Sequence, residues 1–178
     1  MPTPVIHKQE ISMIRTIVWT VFFSIIAAIL QSTLIGMIPF MKVIPDIALC
    51  IVVFSAYVNG TMTGQVSGFL SGLLIDFLSA APLGMNCLVR TLIGALTGIF
   101  KGAFFLDIFL MPVLLCAIAT LVKALIIFIL HLIMGPEAVP AYSLTTSKLW
   151  IELGFNCALA PLLFLALKHF KPIMPGRR

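Results

Sequence analysis

The sequence predicts an all-α integral membrane protein, with six short transmembrane helices in one bundle. Three observations carry this reading. Of 178 residues, 61% are hydrophobic and 10% are charged, whereas a soluble domain has roughly 25% charged and 45–50% apolar residues. Residues 16–41 then carry no charge at all, a run of 26. Finally, runs such as IVWTVFFSIIAAIL and LVKALIIFILHLIM are continuous, while a membrane barrel needs segments of about ten residues that alternate apolar and polar. Backbone groups in lipid must be satisfied within their own segment, so these runs must be helices. The composition excludes a soluble enzyme, a disordered chain, a coiled coil and a disulfide scaffold. The length allows one transmembrane domain, 1–178, and no second one.

The first helix is expected over 16–36. It is too long for the apolar part of a signal peptide, and no A-x-A site follows it. Pro39 and Pro45 bracket a loop holding Lys42. Pro45-Asp46 reads as a helix start, because proline suits a first turn and a carboxylate suits the positive end of the helix dipole. The second helix is expected over 46–58, with a turn at Asn59-Gly60. The third spans 62–78 and ends in the small-residue loop SAAPLGMN, with Pro82 and Gly84. The fourth spans 86–102, the fifth 106–134, and the sixth 149–169 after the polar loop GPEAVPAYSLTTS. The second and third helices are short for a bilayer at 1.5 Å per residue. Two short spans in locally thinned membrane are the preferred reading, and a re-entrant hairpin is the other.

Charge counting sets the orientation. With six spans, one side holds Lys8, Arg15, Lys101, Lys168, Lys171, Arg177 and Arg178, and the other holds Lys42 and Lys148. Cytoplasmic loops carry the excess of basic residues, so both termini are expected in the cytoplasm. The net charge of +5 is read as this bias, with membrane lipids and not nucleic acid as its partner.

Gly60, Gly64, Gly68 and Gly72 repeat every fourth residue, and Gly94, Gly98 and Gly102 do so again. Small residues at this spacing let two backbones approach closely in lipid. They are expected to pack the third helix on the fourth, or to receive another membrane protein, on different faces if both. Asp76, Arg90, Lys123 and Glu152 lie inside expected spans, where ions mark buried pairing or function. Asp76 stands three residues before the SAAPLGMN loop and Arg90 four after it, which predicts a salt bridge between them. A Lys123–Glu152 contact requires both side chains to stretch.

Cys50, Cys87, Cys116 and Cys157 sit in apolar runs with no C-x-x-C pair and read as small buried hydrophobes. His7, His131 and His169 are scattered, so no metal site is expected. No nucleophile–base motif is present, so no catalytic residue, enzyme activity or cofactor is expected.

Read together, the P-D start at Pro45 and Asp46, the G-F-x-x-G-x-x-x-D core at Gly68, Gly72 and Asp76, and the S-x-x-P-L-G-x-N loop through Pro82, Gly84 and Asn86 resemble the rod shape-determining protein MreD family. The resemblance is specific over 45–86; elsewhere it rests on length and hydropathy. It implies a non-enzymatic component of the bacterial elongation machinery in the cytoplasmic (inner) membrane, supporting rod shape and lateral peptidoglycan synthesis. It also implies an architecture similar to the substrate-binding subunits of energy-coupling-factor vitamin transporters. The partners it implies are MreC and, more widely, MreB, RodA and a class-B penicillin-binding transpeptidase. The positions that match the family pattern are Pro45, Asp46, Gly68, Gly72, Asp76, Pro82, Gly84 and Asn86; with Gly64, Gly94 and Gly98 from the glycine spacing and Arg90 from the expected ion pair, they are the structural or partner-binding positions. The alternative is a vitamin-capture subunit of such a transporter. It would need a polar pocket, for which the sequence offers Asn86, Arg90, Glu152 and Asn156. Its docking run on the first helix would be only Ser24 and Ala28.

Overall fold

Each apolar run becomes a helix: α1 (Pro4–Met37), α2 (Ile47–Asn59), α3 (Thr61–Leu78), α4 (Met85–Ile99), α5 (Leu110–Met134) and α6 (Ser147–His169). The computed structural model describes residues 4–37, 43, 45–79, 82–102, 109–137, 139 and 147–169, with no strand among them. Pro39, Lys42, Asp107, Lys171, Arg177, Arg178 and most of the 135–148 loop lie outside the described residues, as do the side chains of His7 and Lys8.

The largest departure from expectation is α1. It starts at Pro4, twelve residues before the expected Thr16, and its 34 residues make it about 51 Å long. Proline is accommodated in a first turn, and the polar segment that follows contains no glycine or second proline to stop the helix. α4 ends at Ile99 and not at Gly102. Phe100 N–H donates to the Thr97 carbonyl (3.1 Å) and Lys101 N–H to the Gly98 carbonyl (3.3 Å), and these i→i+3 bonds tighten the end of the helix. Gly102, at φ 71°, turns the chain away.

α2 is the axis of the bundle. Its residues 48–56 are all buried, and it touches each of the other five helices. A helix that is apolar all round has no solvent face to present, so IALCIVVF fits such a central position. α2 is only 13 residues long, about 20 Å. It ends at Gly60, whose φ of 97° and N–H···O bond to Ala56 (2.8 Å) reverse the chain directly into α3. Lys101 Nζ donates to the Asn59 carbonyl (3.2 Å), a cation at the negative end of the helix.

Paired levels give the direction of every helix. Thr20 Oγ1 lies 2.9 Å from Ser55 Oγ, and Gln31 Nε2 donates to the Pro45 carbonyl, so α1 runs against α2. Arg90 meets Asp46 while Lys101 meets Asn59, so α4 runs with α2. Asn156 meets Asp46 while the Phe54 and Phe164 rings meet at 5.0 Å, so α6 also runs with α2. α3 runs against α4, and α5 against α6. Successive helices therefore alternate in direction.

The interior sets small polar side chains beside an apolar core around α2, and the exterior is large and apolar. Thr16, Thr20, Ser24, Ser55, Ser67 and Ser71 are fully buried, while Phe22, Phe77, Ile99, Ile133 and Leu162 are half or more exposed. Three segments are long and apolar enough to cross a membrane: Ile11–Thr33 of α1, α5 and α6. α2 and α4 are shorter apolar helices.

Candidate functional site: a buried ionic cluster at the head of α2

Pro45 and Asp46 lie where α2 begins, deep between the other helices. Asp46 caps α2, its Oδ1 accepting the Leu49 N–H at 3.0 Å. The same Oδ1 accepts Arg90 Nη2 of α4 at 2.7 Å, and Oδ2 accepts Lys123 Nζ of α5 at 2.7 Å. Lys123 also donates to Glu152 Oε1 of α6 at 2.7 Å. The Asp46 N–H donates to Asn156 Oδ1 (2.9 Å), and Asn156 Nδ2 donates to Thr120 Oγ1 (2.9 Å). With Gln31 on the Pro45 carbonyl, this one dipeptide receives side chains from α1, α4 and α6, and α5 through Lys123. Two anions face two cations, and all four side chains are at most 16% exposed.

The expected Asp76–Arg90 bridge does not form. Equal distance from the loop does not give equal depth, because α4 starts inside the loop and Asn86 already faces Asp76. Arg90 lies instead against the backbone of Gly68. Eight residues of α3 separate Gly68 from Asp76, roughly 12 Å. Lys123 and Glu152 do meet, and Asp46 is the second acid at the lysine's level. Reading Asp46 only as a helix start left it at the membrane surface. The available signal was the shortness of the 46–58 run, which leaves the head of that helix inside the bundle.

Asp76 has a different role. It is 2% exposed, and its carboxylate accepts four hydrogen bonds. These come from Gly84 N–H (3.0 Å), Asn86 N–H (3.0 Å), Asn86 Nδ2 (2.9 Å) and Cys87 N–H (3.1 Å). The first N–H groups of α4 have no partner within the helix, so a carboxylate from α3 satisfies them. Met85 N–H donates to the Pro82 carbonyl (3.1 Å), closing a turn in which Gly84 takes φ 91°. A side chain is disfavoured there. Pro82, Gly84 and Asn86 thus form one clasp around Asp76.

Gly64, Gly68 and Gly72 of α3 face Gly94, the Arg90 backbone and the Cys87 backbone of α4, and Gly98 of α4 faces the Gly60–Thr61 backbone where α3 begins. A Cβ on any of these five glycines would sit well inside van der Waals contact with backbone of the opposite helix. Both ridges are filled by each other. Cys50, Cys87 and Cys116 are buried, Cys157 is partly so, and all four are free thiols.

A helical bundle with polar seams, an apolar exterior and ions paired across its axis is a membrane protein built around helix-to-helix contacts. The family model for rod shape-determining protein MreD matches residues 12–170, and the chain belongs to that family. It is a rod-shape-determining membrane protein, of a family with a structural and not a known enzymatic role. No curated protein and no solved structure matches.

Proposed function

We propose that the chain is a non-enzymatic scaffold of the bacterial elongation machinery. Its six helices would cross the cytoplasmic membrane as one domain with both termini in the cytoplasm. It would hold MreC and, with it, MreB, RodA and a class-B penicillin-binding transpeptidase at sites of lateral peptidoglycan synthesis. The observation that supports this most is the cluster at Asp46. The ions that membrane chemistry would require are committed to one another across α2, α4, α5 and α6, an arrangement that fixes helix positions.

The transporter reading is weaker. All four of its pocket candidates are already engaged: Asn86 by Asp76, Arg90 by Asp46, Glu152 by Lys123, and Asn156 by Asp46 and Thr120. The test is affinity recovery of the tagged chain from solubilised membranes, with depletion in cells. Co-recovery of MreC with the wall-synthesis enzymes, and rounding of rod cells, is expected. Co-recovery of paired ATPases, with rod shape unchanged and vitamin uptake lost, would overturn the proposal.

A further inference from the structure

The surplus charge of the chain is gathered at one end of the bundle. Thr20 is level with Ser55, and Phe164 with Phe54, so α2 serves as a ruler for α1 and α6. At 1.5 Å per residue, Arg15 of α1 and Lys168 of α6 fall within roughly 3 Å of the level of Asn59, where α2 ends. Lys101 shares that level but is engaged by the Asn59 carbonyl, whereas Arg15 and Lys168 are exposed. The opposite end lies at the Asp76 clasp. The rise is roughly 20 Å from Asn59 to Asp46 and roughly 12 Å more to Asp76, about 30 Å in all, which is the thickness of a hydrocarbon core. Arg15 and Lys168 therefore stand at headgroup depth. By chain order, the seven basic residues on the side of both termini are matched only by Glu10 and Asp107. The other four, Lys42, Arg90, Lys123 and Lys148, are matched by Asp46, Asp76, Glu137 and Glu152. The whole net charge of +5 thus belongs to the Asn59 end.

We infer that the Asn59 end of the bundle is a binding surface for anionic phospholipid, with the Arg15 guanidinium and the Lys168 ammonium each holding a lipid phosphate. The side chains beneath each cation decide for lipid over an acidic protein segment. Arg15 continues along its helix face, at spacings of three and four residues, into Val18, Phe22 and Ile26, and Lys168 continues into Leu165, all of them exposed. A cation at headgroup depth above an apolar stripe matches a phosphate above its acyl chain. An acidic segment lying in water would meet the cations and leave the stripes uncovered. A guanidinium takes a phosphate through two parallel hydrogen bonds and an ammonium takes it as a point charge, so Arg15 is the stronger of the two holds. Basic residues close to an anionic membrane surface strengthen binding by about fivefold each. The inference rests on the membrane-spanning reading and on no protein partner.

The test reconstitutes the full chain in vesicles holding equal amounts of phosphatidylglycerol and phosphatidylcholine, extracts it in mild detergent, and counts the retained lipids by native mass spectrometry. The wild type is expected to retain phosphatidylglycerol over phosphatidylcholine by about tenfold, and Arg15→Gln with Lys168→Gln to cut that ratio by about fivefold or more. Lys148→Gln removes an equally exposed cation from the opposite, neutral end and should leave the ratio unchanged. Raised salt should lower the wild-type ratio, a reading that needs no variant to fold. Equal retention of the two lipids by the wild type, which would leave the cations to an acidic protein segment, overturns the inference. So does a ratio that ignores both salt and the paired substitution, or one that Lys148→Gln lowers as much. Each of these outcomes is read on the isolated chain, so it leaves the scaffold reading to its own test by co-recovery.

Discussion

Two carboxylates illustrate what a residue's surroundings decide. Asp46 and Asp76 both lie near helix N-termini, but Asp46 holds two side-chain cations while Asp76 holds three backbone N–H groups and one amide. Asp76→Asn replaces two acceptor oxygens with one and places an amide N–H₂ among donors. The expected cost is about 1–3 kcal/mol. It should appear as a lower unfolding temperature in detergent, with faster hydrogen exchange confined to 84–87. Exchange unchanged at those amides would contradict the clasp. The clasp residues Asp76, Pro82, Gly84 and Asn86 were visible in sequence as a spaced motif, because turn chemistry is local. Beyond the Lys123–Glu152 contact, the ion pairing at Asp46 was not, because it depends on which residues of distant helices share a level. Asp46 and Lys123 are 77 positions apart.

At the scale of the element, glycine spacing was readable and correctly placed α3 against α4, since a four-residue repeat puts small residues on one helix face. The same spacing could not show that both ridges are filled by each other. That follows from the backbone approach at Gly64, Gly68 and Gly94. Gly68→Ala pushes a methyl group into the Arg90 carbonyl, and Gly94→Ala pushes one into the Gly64 carbonyl. Each should destabilise the chain by about 1–3 kcal/mol or more through overpacking. Gly154→Ala on α6 meets nothing within 4 Å and removes a helix-interior glycine, so it should be neutral or stabilising by up to about 1 kcal/mol. Thermal unfolding of the three variants in one detergent checks the ranking. Equal behaviour would mean that α3 and α4 do not approach as described. The early start of α1 was missed because hydrophobicity marks where lipid begins, not where a helix does.

For the whole molecule, hydropathy gave six helices, and helical backbone behind an exterior of large apolar side chains is what lipid as solvent requires. Alternating directions place the α4–α5 and α5–α6 connections at opposite ends. Gly102→Cys and Glu137→Cys, both at exposed positions, should therefore be labelled from opposite sides of the membrane. The assay uses an impermeant thiol reagent on intact cells, with the four native cysteines replaced by alanine. Labelling of both from one side would contradict the alternation. Charge counting predicts Gly102 on the cytoplasmic side.

The account depends on the intramembrane ions joining helices to one another. The direct measurement is a double-mutant cycle in unfolding free energy with Asp46→Asn, Lys123→Met and the pair. Removing one partner leaves a buried charge uncompensated, at about 3–5 kcal/mol. The double variant should then cost clearly less than the sum of the singles, with a coupling of about 1–3 kcal/mol. Strict additivity, with both singles near wild-type stability, would show that the cluster does not hold the bundle together.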